Sequence, residues 1–215
     1  MNIDLSKNAC IFGETQSGKT ILANYLFQDT GGLFIDISDM GDIEADIEFN
    51  HRKSVKNFFL ALKYYRRVRY VPISPQRDRK KSLKEIKIIW ELLCKLNKNI
   101  YVYVDEIQNW GTSRRNEYDV YATEGLKRGV HIISITQRPA NISKTLASQS
   151  KTHIFFDIGE FEAAYYKKHQ LPYEKILNSL YKKDETGEWV RKAPYYAFVV
   201  YQRGRGLSRP IKLSI

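Results

Sequence analysis

Residues 13–20 read Gly13-Glu14-Thr15-Gln16-Ser17-Gly18-Lys19-Thr20, a complete G-x-x-x-x-G-K-[ST] loop, and nothing else in the chain limits its fold so tightly. Before it, Ala9-Cys10-Ile11-Phe12 is apolar enough for a buried strand. After it, Ile21 to Phe27 carries the apolar spacing of a helix. A loop of this kind turns sharply and aims successive backbone N–H groups at one anion, which requires glycine, and the helix N-terminus adds donors and partial positive charge. Lys19 is placed to reach the β- and γ-phosphates, and the Thr20 hydroxyl to ligate Mg²⁺. The strand–loop–helix context predicts a nucleoside triphosphate site.

The remaining chain supplies the sheet that such a loop needs. Gly32 to Ile37, Val68 to Ile73, Asn99 to Val104, Val130 to Thr136 and His153 to Ile158 read as strands, and helical patterns cover Ser54 to Tyr65, Leu83 to Leu96, Arg114 to Lys127 and Ile142 to Ala147. The acidic stretch Asp39 to Glu48 reads as an irregular, exposed connection, and Arg77 to Lys81 as a basic loop. Glu160 to His169 and Tyr173 to Tyr181 read as helices. Glu188 to Arg191 and Tyr195 to Gln202 read as a terminal β-hairpin turning at Ala193-Pro194. Alternating strands and helices predict a single three-layer α/β domain over residues 1–215 with a mostly parallel sheet, its core at about 8–160 and its C-terminal helices and hairpin at about 160–215.

Nucleotide hydrolysis needs a metal ligand and a base as well as a phosphate cradle. Val104-Asp105-Glu106 ends the most apolar strand, and ligands of parallel α/β sheets sit at the carboxyl ends of strands. Asp105 is therefore the candidate Walker B residue holding Mg²⁺, and Glu106 the candidate general base. Gln137, in Thr136-Gln137-Arg138-Pro139, ends the next strand and would emerge on the same edge near the γ-phosphate.

These three motifs, in this order, resemble the FtsK–HerA superfamily of DNA-pumping ATPases, whose strand after Walker B ends in a glutamine within a T/S-Q-R-P run. The resemblance covers about residues 8–160. It implies a RecA-like core, ATP as the nucleotide, assembly into a ring of usually six copies, and movement of double-stranded DNA through the ring. The compact length is similar to that of the genome-packaging ATPases of double-jelly-roll viruses, which implies a capsid-vertex or membrane-protein partner and a site of action in the host cytoplasm or on the virion. The superfamily pattern places an arginine finger where this chain has Leu126. Arg128 is the nearest candidate, with Arg138, Arg114 and Arg115 as competitors; such fingers are worth roughly 10³–10⁵ in rate.

A net charge of +11 points to a polyanionic partner. A translocase grips phosphates without reading bases, and Arg77, Arg79, Lys80, Lys81, Arg114 and Arg115 are the candidate DNA contacts. No apolar run approaches the roughly 18 residues of a membrane span. Cys10 and Cys94 sit in apolar surroundings and read as buried thiols, and the four histidines show no metal-ligand spacing. Three alternatives compete: a cellular or plasmid HerA/FtsK-like translocase, a small-molecule kinase, and a GTPase-like switch. The kinase fits poorly with Glu106 and Gln137, and the switch lacks an N-K-x-D guanine motif.

Overall fold

The computed structural model describes residues 3–37, 39, 42–96, 98–110, 118–159 and 163–213. Seven parallel strands form the centre of one large sheet, in the order β7(Ser150–Phe155), β1(Asn8–Phe12), β6(Val130–Thr136), β5(Ile100–Val104), β2(Gly32–Ile35), β4(Arg67–Val71), β3(Ile47–Asn50), with β7 and β3 at its two sides. β10(Ala197–Gln202) adds antiparallel to β7. It in turn carries the short strands β11(Gly206–Leu207) and β12(Ile211–Lys212). The parallel strands place every βα turn of the core on one edge, where a site can be assembled.

Side-chain alternation along the strands divides the core into two layers. Cys10 and Phe12 of β1 point to one face, where they share a core with Leu62 of α2(Val55–Tyr64), Trp90 of α3(Arg79–Lys95), Leu146 of α4(Lys144–Gln149), Tyr166 of α5(Ala163–Lys168) and Leu177 of α6(Tyr173–Leu180). Ala9 and Ile11 point to the other, with Leu22, Leu26 and Phe27 of α1(Lys19–Thr30). This is the expected three-layer arrangement, with most of the helices on one side. α1 is fixed by aromatic edges: Phe27 meets Phe34 and Tyr103 with ring centroids 5.5 and 5.6 Å away, and Thr30 Oγ1 lies 2.8 Å from the Tyr103 hydroxyl. Truncating Phe27 would remove contacts worth about 3–5 kcal/mol and loosen the helix that carries the loop. Asn8, fully buried, donates to Ala122 O and accepts from Ile132 N–H, both at 2.9 Å, which joins β1 to β6 and to the π-helical turn Tyr121–Gly125.

Several elements differ from the sequence reading. Part of the acidic connection is β3, because its alternation places Phe49 in the core while Glu48 reaches Arg69. The basic cluster is mostly helical: α3 starts at Arg79, capped by Asp78, whose carboxylate accepts from Lys81 N–H at 3.0 Å. A C-terminal hairpin is present, but its strands are β10 and β11. Trp189–Arg191 (β9) pairs instead with Tyr181–Lys183 (β8) in a separate two-stranded ribbon. Arg114 and Arg115 lie outside the described residues.

Candidate nucleotide site

The loop between β1 and α1, the turn after β5 and the turn after β6 open onto one cleft of about 580 Å³. Thr15, Gln16, Ser17, Gly18, Lys19 and Thr20 line it from below, with Asp105, Glu106 and Gln137 opposite. Gly13 and Glu14 complete the loop without lining the cleft directly. Two glycines are sterically required. A Cβ at Gly13 would stand 2.6 Å from Ser17 Oγ and 2.8 Å from Phe156 Cβ, and Gly18 has φ +103° at the start of α1.

Lys19 is buried, and its ammonium donates to the Glu14 carbonyl at 2.5 Å, folded back on the loop it serves. Burial pushes its pKa down, while Glu106, Asp105, Glu14 and Asp157 act in the opposite sense. Four carboxylates near one ammonium make the cleft an unfavourable place for a bare triphosphate. A divalent cation arriving with the nucleotide would reverse that balance. Thr20 and the buried Asp105 supply a hydroxyl and a carboxylate in the same cleft, oxygen donors that suit Mg²⁺ with its retained waters. Asp105 is held in place by its backbone N–H, which donates to Ile35 O at 3.1 Å.

A chain of side-chain hydrogen bonds joins the three motifs. The Thr15 hydroxyl donates to Gln137 Oε1 at 2.9 Å, and Gln137 Nε2 donates to Glu106 Oε1 at 3.0 Å. The second Glu106 oxygen accepts from Gln108 Nε2. Gln108 Oε1 in turn accepts from the Thr136 hydroxyl at 2.6 Å, and Thr136 Oγ1 accepts from Arg138 N–H at 2.9 Å. Glu106 adopts φ +45°, a left-handed conformation that is unfavourable for a non-glycine residue and recurs at functional sites.

The other sequence candidates lie elsewhere. Arg128 is exposed just before β6, and the seven residues of that strand separate it from the cleft edge by about 20 Å. It does not line this cleft. Arg77, Arg79, Lys80 and Lys81 are exposed where α3 begins. His153 is buried in an aromatic stack with Phe12 and Phe155.

Sequence reasoning missed Gln108, Asn24, Asp42, Ile43 and Tyr196, all but the first of which line the nucleotide cleft. Gln108 returns to Glu106 because the chain makes a 3₁₀ turn over Ile107–Trp110, a signal readable only as two polar residues after the carboxylates. Tyr196, at φ +59°, approaches Gly18 from the C-terminal strands, a contact that no local pattern announces.

No protein-family model matches the sequence, and no curated protein does. Solved structures do. The genome packaging NTPase B204 of Sulfolobus turreted icosahedral virus 2, in complex with AMPPCP, superposes with a TM-score of 0.70 over 98% of this chain and 100% of its own, at 13% identity. This chain shares its fold. B204 of Sulfolobus turreted icosahedral virus, described as a DNA-packaging ATPase, matches at a TM-score of 0.68 over 97% of this chain and 98% of that one, at 15% identity. The cytoplasmic domain of the type VII secretion ATPase EccC from Thermomonospora curvata matches at 0.55, covering 99% of this chain but 24% of its own, at 13% identity. Both kinds of neighbour are NTPases or ATPases by description, and the viral ones match over nearly their full length.

Proposed function

We propose that the chain works as one ATPase domain, a motor that hydrolyses ATP to move double-stranded DNA and packages a viral genome into a preformed capsid. The observation that carries this reading is the bonded path from Thr15 of the phosphate loop through Gln137 to Glu106. It ties the nucleotide cradle directly to the base and to the strand that follows it. Full-length likeness to viral packaging NTPases supports the cargo.

The loop N–H groups and Lys19 hold the β- and γ-phosphates, with Lys19 leaving Glu14 O to do so. Thr20 and Asp105 would hold Mg²⁺, which would supply positive charge against that developing on the phosphoryl oxygens. Glu106 orients a water and accepts its proton, and Gln137, bonded to both Thr15 and Glu106, reports whether the γ-phosphate is still present. Copies assemble in a ring, hexameric by resemblance, in which Arg128 reaches a neighbour's cleft. The exposed cations at the start of α3 face DNA. Among the described residues no helix is long and apolar enough to cross a membrane. The motor acts in the host cytoplasm and docks on a capsid-vertex or membrane protein. EccC likeness favours a second reading, a cellular translocase with another polymer as cargo.

The test is phosphate release by the purified chain with and without double-stranded DNA of mixed sequence, alongside Glu106→Gln. The motor reading expects stimulation by DNA and a loss of about 10²–10⁴ in rate in the variant. Hydrolysis indifferent to DNA refutes it.

A further inference from the structure

We infer that a second cleft, on the far side of Glu106 and Gln137, is a nucleic-acid site, and that Gln108 clamps Glu106 until a phosphodiester strand enters it. This deepens the motor reading and rests on it. The cleft holds about 610 Å³ and is lined among others by Gln76, Gln108, Asn109 and Arg138, together with Glu106 and Gln137. Those last two residues also line the nucleotide cleft, so the two clefts share a wall.

The chemistry of the lining selects the ligand. Amides and one guanidinium donate to phosphate oxygens without distinguishing bases. Gln76 leads straight into Arg77 and the exposed cations Arg79 and Lys80, which extend a positive approach to the cleft mouth. Glu106, the one carboxylate among the described residues of the lining, has each oxygen bonded to an amide.

The clamp follows from the bonds. Each oxygen of Glu106 accepts an amide N–H, which fixes the carboxylate and takes up two of the roughly four acceptor sites open to a water proton. Gln108 is held in turn by Thr136, and Thr136 by the backbone N–H of Arg138. Arg138 thus offers its guanidinium to the second cleft and its N–H to the first link of the clamp. A phosphate that draws Arg138 toward it loosens Thr136, then Gln108, and frees one oxygen of Glu106 for water. Gln108 acts through Glu106 and is a positioning residue.

The experiment measures ATP hydrolysis by the full chain with and without a mixed-sequence duplex, and duplex affinity by anisotropy across a salt series. It compares wild type with Gln108→Ala, Gln108→Glu and Arg138→Ala, and uses poly-glutamate as a control polymer. Gln108→Glu keeps an acceptor for Thr136 and replaces the donor to Glu106 by a like charge, which drives the clamp open without leaving a cavity, and melting temperatures of all variants separate release of the clamp from a folding defect. The expected result is a DNA-free rate raised roughly tenfold in both Gln108 variants, with the stimulation ratio falling toward one. Arg138→Ala is expected to weaken duplex binding and lower the salt slope by about one. A lower DNA-free rate in both Gln108 variants, or an unchanged stimulation ratio, overturns the clamp while leaving the motor standing. Equal stimulation by poly-glutamate overturns the ligand assignment. A wild-type rate indifferent to duplex removes the motor reading and this ligand together.

Discussion

Replacing Arg69 by methionine tests how the sheet edge holds the nucleotide cleft. Arg69 lies on β4, buried, and donates to three carboxylates. Nε and Nη2 reach Asp36 Oδ2 at 3.1 and 2.7 Å, Nη2 reaches Asp39 Oδ1 at 2.9 Å, and Nη1 reaches Glu48 Oε2 at 2.6 Å. Asp36 is 1% exposed, so methionine would leave a carboxylate in the interior without a counter-ion. Breaking a buried pair from one side costs about 3–5 kcal/mol. At about 2–4 °C per kcal/mol for a chain of this size, the melting temperature is expected to fall by about 6–20 °C. Asp39 and Glu48 bracket the segment whose Asp42 and Ile43 line the cleft, so nucleotide affinity is expected to fall as well. Thermal and urea denaturation followed by circular dichroism give the first quantity, and titration with a fluorescent ATP analogue the second. Arg69→Met combined with Asp36→Leu removes both charges and is expected to recover most of the lost stability. A loss below about 1 kcal/mol in the single variant, or no recovery in the double, would refute the reasoning.

Gly13→Ala is expected to weaken nucleotide binding at least tenfold, because its Cβ would stand 2.6 Å from Ser17 Oγ and 2.8 Å from Phe156 Cβ; analogue titration at wild-type affinity would contradict this. Burial, helped by Arg203, lowers the His153 pKa to about 3. The native imidazole therefore stays neutral while the unfolded one takes a proton below about pH 6.5, so stability declines as pH falls between those values, by about 2–3 kcal/mol at pH 4.5. His153→Phe, which retains the stack, is expected to flatten that decline in urea titrations at pH 7 and 4.5. An unchanged slope would remove the imidazole as its cause.

The parts of the site legible in the sequence were those whose chemistry is local. A phosphate loop is contiguous, and the strand ends carrying Asp105 and Gln137 follow from apolar runs that stop abruptly. The parallel order of the strands places those ends together without any further signal. What stayed hidden depends on partners distant in sequence. β3 carries Glu48, a poor strand former that pairs with Arg69 on the neighbouring strand. Tyr196 reaches the loop because β10 returns to pair with β7, some fifty residues earlier in the chain. Gln108 looks like any polar residue in a turn until Thr136 is seen to hold it.

Glu106 also terminates two lines of hydrogen bonds that both run toward it, one from Thr15 through Gln137 and one from Arg138 through Thr136 and Gln108. A carboxylate can end both lines because it only accepts. A glutamine at the same place accepts through one atom and donates through the other, so one line must turn round, and only the line from Thr15 can do so throughout, because the other is anchored at a backbone N–H that always donates. The negative charge at this position therefore sets the polarity of the wiring around it as well as the fate of a proton. Removing the charge re-polarises the line that ends at Thr15 in the phosphate loop, together with the chemistry performed on the nucleotide.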